Sequence, residues 1–116
     1  MQSLNPQFDL LGRLITAAET RHRVISNNIA NVNTPNYRRL DVSFEEQLAR
    51  ELAGDPAVQA QPEIVQTPGL VARADGNNVD IDREIGQLNK NAMLQQTWIQ
   101  LLASDLEQMR LAISGS

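Results

Sequence analysis

Apolar residues recur along the first third of the chain at alternating spacings of four and three. The series runs Leu4, Phe8, Leu11, Ile15, Ala18, His22, Ile25, Ile29 and Val32. This is a heptad seam on one helix face, interrupted once by the polar His22. Asn5 can cap this helix, and Pro6 suits a first turn where its missing N–H is not needed. Thr34 precedes Pro35 and is biased away from helical conformation, so the spacing predicts a helix over 6–32. The last third repeats the pattern as Ile85, Leu88, Ala92, Gln95, Ile99, Leu102, Leu106, Met109 and Ile113, again with one polar member. Asp80 or Asp82 can cap it, which predicts a helix over 81–114. A second partial stripe, Leu94, Trp98 and Leu101, widens its apolar face. At about 1.5 Å per residue, the two helices would reach roughly 40 Å and 45–50 Å.

Residues 33–80 read differently. Ser43-Phe44-Glu45-Glu46 has the form of a capping box, followed by Leu48 and Leu52 and ended by Gly54, which predicts a short helix. Beyond it, Pro56, Pro62, Pro68, Gly69 and Gly76 break the chain. The apolar pairs Ile64-Val65 and Leu70-Val71 are candidate short strands between turns. The predicted fold is a single, mainly α domain. Two long terminal amphipathic helices pack as a coiled-coil-like hairpin or bundle, with a short helix and a loop or short β insert between them. Neither long helix is stable alone in water, so each seam needs a partner. Pairing the two with each other uses one stripe on each. The expectation is therefore that Leu94, Trp98 and Leu101 stay exposed as an interface patch.

Charge and composition narrow the function. The formal net charge is −4, with 14 acidic against 10 basic residues, whereas a nucleic-acid binder calls for a basic surplus. The chain has no cysteine, which removes disulfides and thiolate chemistry. No nucleophile–base pair, phosphate loop or metal-ligand set is evident, so the expectation is no enzyme, no small-molecule substrate, no cofactor and no metal. Asp75, Asn77, Asp80 and Asp82 lack the order of a calcium loop and read as a turn followed by a helix cap. No apolar run approaches the roughly 20 residues of a membrane span. The opening residues show no cleavable signal peptide. His22 is a candidate register-setting group facing Gln95. Arg21, Arg23, Arg38 and Arg39 read as solvated or paired with acidic groups of neighbouring molecules.

The segment Ser26-Asn27-Asn28-Ile29-Ala30-Asn31-Val32-Asn33-Thr34-Pro35-Asn36-Tyr37 resembles the signature near the N-terminus of bacterial flagellar axial proteins, the rod, hook and hook-associated subunits. That family has glycine where Asn36 stands; asparagine is the next-best residue for a positive φ, so the same turn is expected. Gly76-Asn77-Asn78-Val79-Asp80-Ile81-Asp82-Arg83-Glu84, Asn91 to Thr97, Leu101 to Ser104 and the Ala112 to Gly115 ending are similar to the C-terminal region of the family's proximal rod subunits. The short insert favours these over hook relatives. The resemblance implies a structural subunit of the flagellar basal body rod. Such a subunit is exported from the cytoplasm by the flagellar type III apparatus without a cleaved signal and polymerises through its terminal helices in the periplasm. Implied partners are further copies, other rod proteins, a basal adaptor and membrane-ring or export-gate components. It further implies an assembly motif at Ser26, Asn27, Asn28, Ile29, Ala30, Asn31, Thr34, Pro35 and Tyr37. The helix seams Phe8, Leu11, Ile15, Ile25, Leu88, Ile99, Leu102, Leu106 and Met109, with Leu94, Trp98 and Leu101, are the interface candidates. Asn28 and Asn31 can satisfy open carbonyls at the helix end or bond to neighbouring subunits. Phe44 and Leu48 resemble the export-gate recognition pattern, although the same pair also reads as the buried face of the short helix. A cytoplasmic coiled-coil adaptor or export chaperone is the alternative reading of the charge and periodicity.

Overall fold

A computed structural model describes residues 6–115; the proposed cap Asn5 and the first seam residue Leu4 lie outside them. The order of elements is α1 (Pro6–Ala30), β1 (Leu40–Ser43), α2 (Glu45–Leu52), β2 (Glu63–Gln66) and α3 (Ile81–Ile113). The structure is thus mainly helical, with α1 and α3 packed side by side. Hydrogen bonds from Asn28 to Glu84, Asn91 to the Ala18 carbonyl and Gln7 to Asp105 show that the two helices run antiparallel. The molecule measures 65 × 31 × 17 Å, with a radius of gyration of 18.0 Å. A compact domain of this length would have about 13 Å, so the hairpin sets the shape.

Helix α1 is buried on two sides. Its predicted seam supplies Leu11, Ala18 and Ile25 to α3. The neighbouring stripe of Leu10, Leu14 and Ala17 packs on Phe44, Leu48 and Ala60 of the insert. This second stripe was not part of the predicted seam. Arg13 straps the insert down, bonding Glu51 at 3.0 Å and the Ala60 carbonyl at 2.8 Å.

Helix α2 lies where predicted, but the capping box does not form. Ser43 pairs with Glu63 as the last residue of β1, and the N-cap is Phe44, with no side-chain cap. The start of the helix is held instead by Phe44 itself, 1% exposed, which sits in the core beside Leu48. The other end stops as the sequence predicts. Gly54 adopts φ +95°, and the N–H groups of Gly54 and Asp55 return to the carbonyls of Glu51 and Arg50, a Schellman closure that needs the left-handed residue.

Of the two candidate strands, Ile64-Val65 forms the centre of β2, pairing antiparallel with Val42 and Asp41 of β1. Leu70-Val71 does not form a strand. The Pro68-Gly69 turn, with Gly69 at φ +78°, carries the chain off the ladder and leaves Val71 exposed. For α3 the cap is Asp80, which accepts from the N–H groups of Asp82 and Arg83.

Truncating the insert's anchor should unfold the molecule far more readily than trimming its surface. Phe44→Ala is expected to lose about 3–5 kcal/mol in denaturant unfolding. Leu52→Ala, on the exposed side of α2, should stay within about 0.5 kcal/mol of the parent.

Candidate functional site

The two segments that carry the family resemblance, 26–37 and 76–84, meet in space and interlock where α1 ends and α3 begins. Asn28 is completely buried. Its amide reads the backbone of Leu40 on both sides, donating to the carbonyl at 2.8 Å and accepting from the N–H at 3.0 Å. The remaining capacity goes to Glu84, at 3.2 Å, and to the Tyr37 hydroxyl, at 2.9 Å. All of the donors and acceptors of a carboxamide are then in use. Asn27 donates to the same Tyr37 oxygen at 2.8 Å.

Beneath Asn28 lies an ion pair. Arg39 is 3% exposed and Glu84 0%, and the Arg39 Nε–H donates to Glu84 Oε1. The guanidinium also reaches Thr67 Oγ1 at 2.8 Å and Asp41 at 3.3 Å. Burial works against the charge on Arg39, but the hydrogen bond and charge of Glu84, helped by Asp41, outweigh it and raise its pKa. Burial pushes the Tyr37 hydroxyl upward too, keeping it a donor. Arg39 therefore pairs inside its own chain rather than with a neighbour's acid. Arg21 does likewise, bonding Glu45 at 2.9 Å and the Val42 carbonyl at 3.1 Å. Arg23 and Arg38 are exposed as expected.

A second buried amide closes the end of α1. Asn77 donates to the carbonyls of Asn31 at 2.8 Å and Thr34 at 2.9 Å and accepts from the Val79 N–H. Asn31 folds back onto the Asn27 carbonyl, and Arg73 caps the Val32 carbonyl. Carbonyls left open where a helix ends thus find partners. Asn36 takes φ +63°, the turn expected for the family's glycine, and donates its N–H to Asp75 at 2.8 Å. Opposite it Gly76 sits at φ +83°, where an added Cβ would lie 3.2 Å from the Asn36 Cα and overlap its side chain. Only glycine lets the two turns touch. Among the described residues no buried side-chain nitrogen or oxygen lacks a partner.

The knot fixes which side of α3 faces α1. Two rows of seven-residue spacing turn inward: Glu84, Asn91, Trp98 and Asp105, then Leu88, Gln95 and Leu102. All of these are buried or half-buried, yet they are largely polar. The predicted seam therefore packs on α1 only through its Leu88, Gln95 and Leu102 members. Its other row faces outward, with Ile85 46% exposed, Ile99 47%, Leu106 50% and Ile113 79%, alongside Ala92 and Met109. Conversely Trp98, expected at the surface with Leu94 and Leu101, is half-buried, while those two leucines are exposed. The cause is rotational: burying Glu84 against Arg39 turns α3 away from its most apolar side. His22 is exposed and lies beyond Ala18, whereas Gln95 lies past the Ala18–Asn91 bond in the other direction, so the two do not set the register. Asn91 does, donating to the Ala18 carbonyl at 2.7 Å.

Phe44 and Leu48 are buried together, and the remaining members of the first motif, Ser26, Ile29, Ala30 and Pro35, lie on the surface or half-buried around the knot. Arg39, Glu84, Asn77 and Asn91 were not singled out from the sequence for these roles. The available signal was Glu84 and Asn91, two polar residues one heptad apart beside an apolar seam. No helix is long and apolar enough to cross a membrane among the described residues.

The model of the family described as flagella basal body rod protein matches residues 15–38, which span the second half of α1 and the first half of the knot. Over longer stretches the chain is 30% identical to the flagellar basal body rod protein FlgB of Borreliella burgdorferi, covering 81% of this chain and 85% of that one. It is 29% identical to the protein of the same name from Bacillus subtilis, covering 90% and 91%. A Salmonella typhimurium FlgB is likewise 29% identical, over 82% and 83%.

Removing one member of the buried pair should be costly, because the other charge is stranded. Arg39→Met is expected to lose roughly 3–5 kcal/mol, and Arg39→Met with Glu84→Leu distinctly less than two such losses. Arg21→Met, which releases the exposed Glu45 and the Val42 carbonyl but strands no buried charge, should lose roughly 1 kcal/mol. A double-mutant cycle by denaturant unfolding reads all of them.

Proposed function

The chain belongs to the FlgB family of flagellar basal body rod proteins, and from that premise we propose how this structural subunit of the rod is delivered and built in. It forms the proximal rod by polymerising through its two terminal helices, with further copies and other rod proteins as lateral neighbours. A basal adaptor and components of the membrane ring meet it at the base. It has no catalytic task. The observation that carries this reading is the uncovered row of α3. Ile85, Ile99, Leu106 and Ile113 stand in water along the full length of a 33-residue helix. A continuous apolar row of that kind marks an interaction surface.

The knot has a definite part in this scheme. Its residues, including Asn28, Asn31, Thr34 and Tyr37, act within the subunit and hold the hairpin so that the apolar row points outward. The motif at 26–37 therefore serves assembly by presenting α3, and the seam residues left uncovered make the contacts.

Delivery follows the flagellar type III route from the cytoplasm to the periplasmic rod, without a cleaved signal. Phe44 and Leu48 are the export-gate candidates. Both are buried in the folded chain, so the gate would read them before folding and the core of the insert would claim them afterwards.

Two measurements test this. Ile99→Glu combined with Leu106→Glu should leave helix content and unfolding midpoint near the parent's, yet hold the purified chain monomeric at concentrations where the parent sediments as polymer. Equal sedimentation of both would contradict the assembly surface. Phe44→Ala with Leu48→Ala should lower secretion into the medium by about tenfold or more, although the weakened fold opens more readily. Undiminished secretion removes the gate role.

A further inference from the structure

The two-stranded sheet of the insert has one sealed edge and one open edge. Along an antiparallel pair the bonded residues alternate, so every second residue turns its N–H and C=O away from the neighbouring strand. The Thr67 N–H bonds the Arg39 carbonyl at 3.1 Å, one step beyond the paired residues, and this sets the phase of the alternation. Asp41 with Val65 and Ser43 with Glu63 are then the bonded pairs, while Leu40, Val42, Ile64 and Gln66 turn their backbone groups outward. On β1 these groups are taken. Asn28 bonds both groups of Leu40, Arg21 bonds the Val42 carbonyl, and the Asp41 carboxylate accepts from the Val42 N–H. On β2 those of Ile64 and Gln66 have no such partner among the described residues. An open edge of this kind is a template for another strand.

The ground beneath the open edge is also prepared. Residues directly opposite each other share a face of the sheet, so Ile64 and Gln66 lie on the same face as the buried Val42. Ile64 is nonetheless 55% exposed. Under it opens a recess lined by Thr20, Arg23, Val24, Asn27, Leu40 and Ile64. Arg23 is exposed and makes no ion pair among the described residues, and neither does the exposed Arg38, which by alternation shares the face of Leu40. The other face of β2 carries the opposite charge at Glu63, which is bonded by Gln47 at 3.3 Å and has no ion pair either. Pro62 and Pro68 flank the strand and limit the open edge to about its four residues.

We propose that β2 accepts an extended segment of a second protein as a third strand, antiparallel because that pairing is the more stable per residue. Its residues opposite Ile64 and Gln66 exchange N–H and C=O bonds with them. The charges then dictate its sequence, which from its N-terminal end runs acidic, β-branched, apolar, basic. The acidic residue lies opposite Gln66, toward Arg23 and Arg38. The β-branched residue lies opposite Val65 on the outer face. The apolar residue covers Ile64 and the recess, and the basic residue stands opposite Glu63. No stretch of this chain runs in that order, so the strand is supplied by a different protein. None of the uncovered row of α3 contributes to the site, and it stands or falls apart from the assembly reading.

The probe is a capped peptide with aspartate, threonine, valine and lysine in that order at its centre. It is titrated to about 5 mM into isotope-labelled chain, and amide exchange is read by NMR. The Ile99→Glu, Leu106→Glu chain serves where the parent assembles. Binding with a dissociation constant on the order of 0.1–1 mM is expected, with exchange slowed at the Ile64 and Gln66 amides. The order threonine, aspartate, lysine, valine puts each side chain on the other face and should bind about tenfold more weakly. Gln66→Pro removes an outward N–H but no bond to β1, and should raise the dissociation constant about fivefold at an unchanged unfolding midpoint. Arg23→Glu should raise it about as much, and lysine in place of the peptide's aspartate should restore it to within about twofold. Absence of binding, or binding that leaves both amides unprotected or ignores Gln66→Pro and Arg23→Glu, overturns the proposal. Protection of both amides on concentrating the chain alone would assign the edge to a second copy and overturn it as well.

Discussion

A carboxylate with no solvent exposure must be neutralised or paired, and Glu84 is paired by Arg39 and bonded by Asn28. An isolated ionised group in such a place would cost far more than the whole stability of a small domain. The pair is therefore a positional constraint. It ties the start of α3 to the strand β1 and to the last turn of α1 at once, and with Asn91 further along it sets both the height and the rotation of α3. Buried polar groups of this kind fix register in other helical assemblies at some expense in stability. Here they do so at one end of a long hairpin, and the far end of the described helices is joined by the exposed Gln7–Asp105 bond.

From that rotation the rest follows. With Glu84 and Asn91 inward, α3 spends polar side chains on α1 and turns isoleucines and leucines outward. For a soluble monomer this is a poor arrangement, since the long helix contributes little apolar burial to its own hairpin. For a rod subunit it is a useful one, because the apolar area left over is available to neighbours. The insert supplies the independent core the hairpin lacks, through Phe44, Leu48 and Ala60 against Leu10, Leu14 and Ala17.

Much of this was legible in the sequence. Heptad spacing placed both long helices to within two residues of their ends, because their caps and stops are local: Asp80 before α3, Pro35 after α1. The positive φ at Asn36 was legible through the family resemblance, which has glycine at that position. Burial was not, because periodicity says which face of a helix is apolar, not which neighbour takes it. The apolar seam of α3 was expected to pack on α1, and a single buried glutamate turned most of it away. Ser43 matched a capping box, but strand pairing with Glu63 claimed it. Arg39 looked like one of several surface arginines, and its partners Thr67 and Glu84 lie 28 and 45 positions away along the chain.

The most direct measurement is electron microscopy of basal bodies isolated from a host lacking its own gene for this subunit. The intact chain should restore a rod within the membrane ring. A secreted, correctly folded chain carrying Ile99→Glu and Leu106→Glu should leave the ring empty, because its outward row can no longer be buried. Rods of normal length from that variant would contradict the claim that α3's uncovered row builds the lattice.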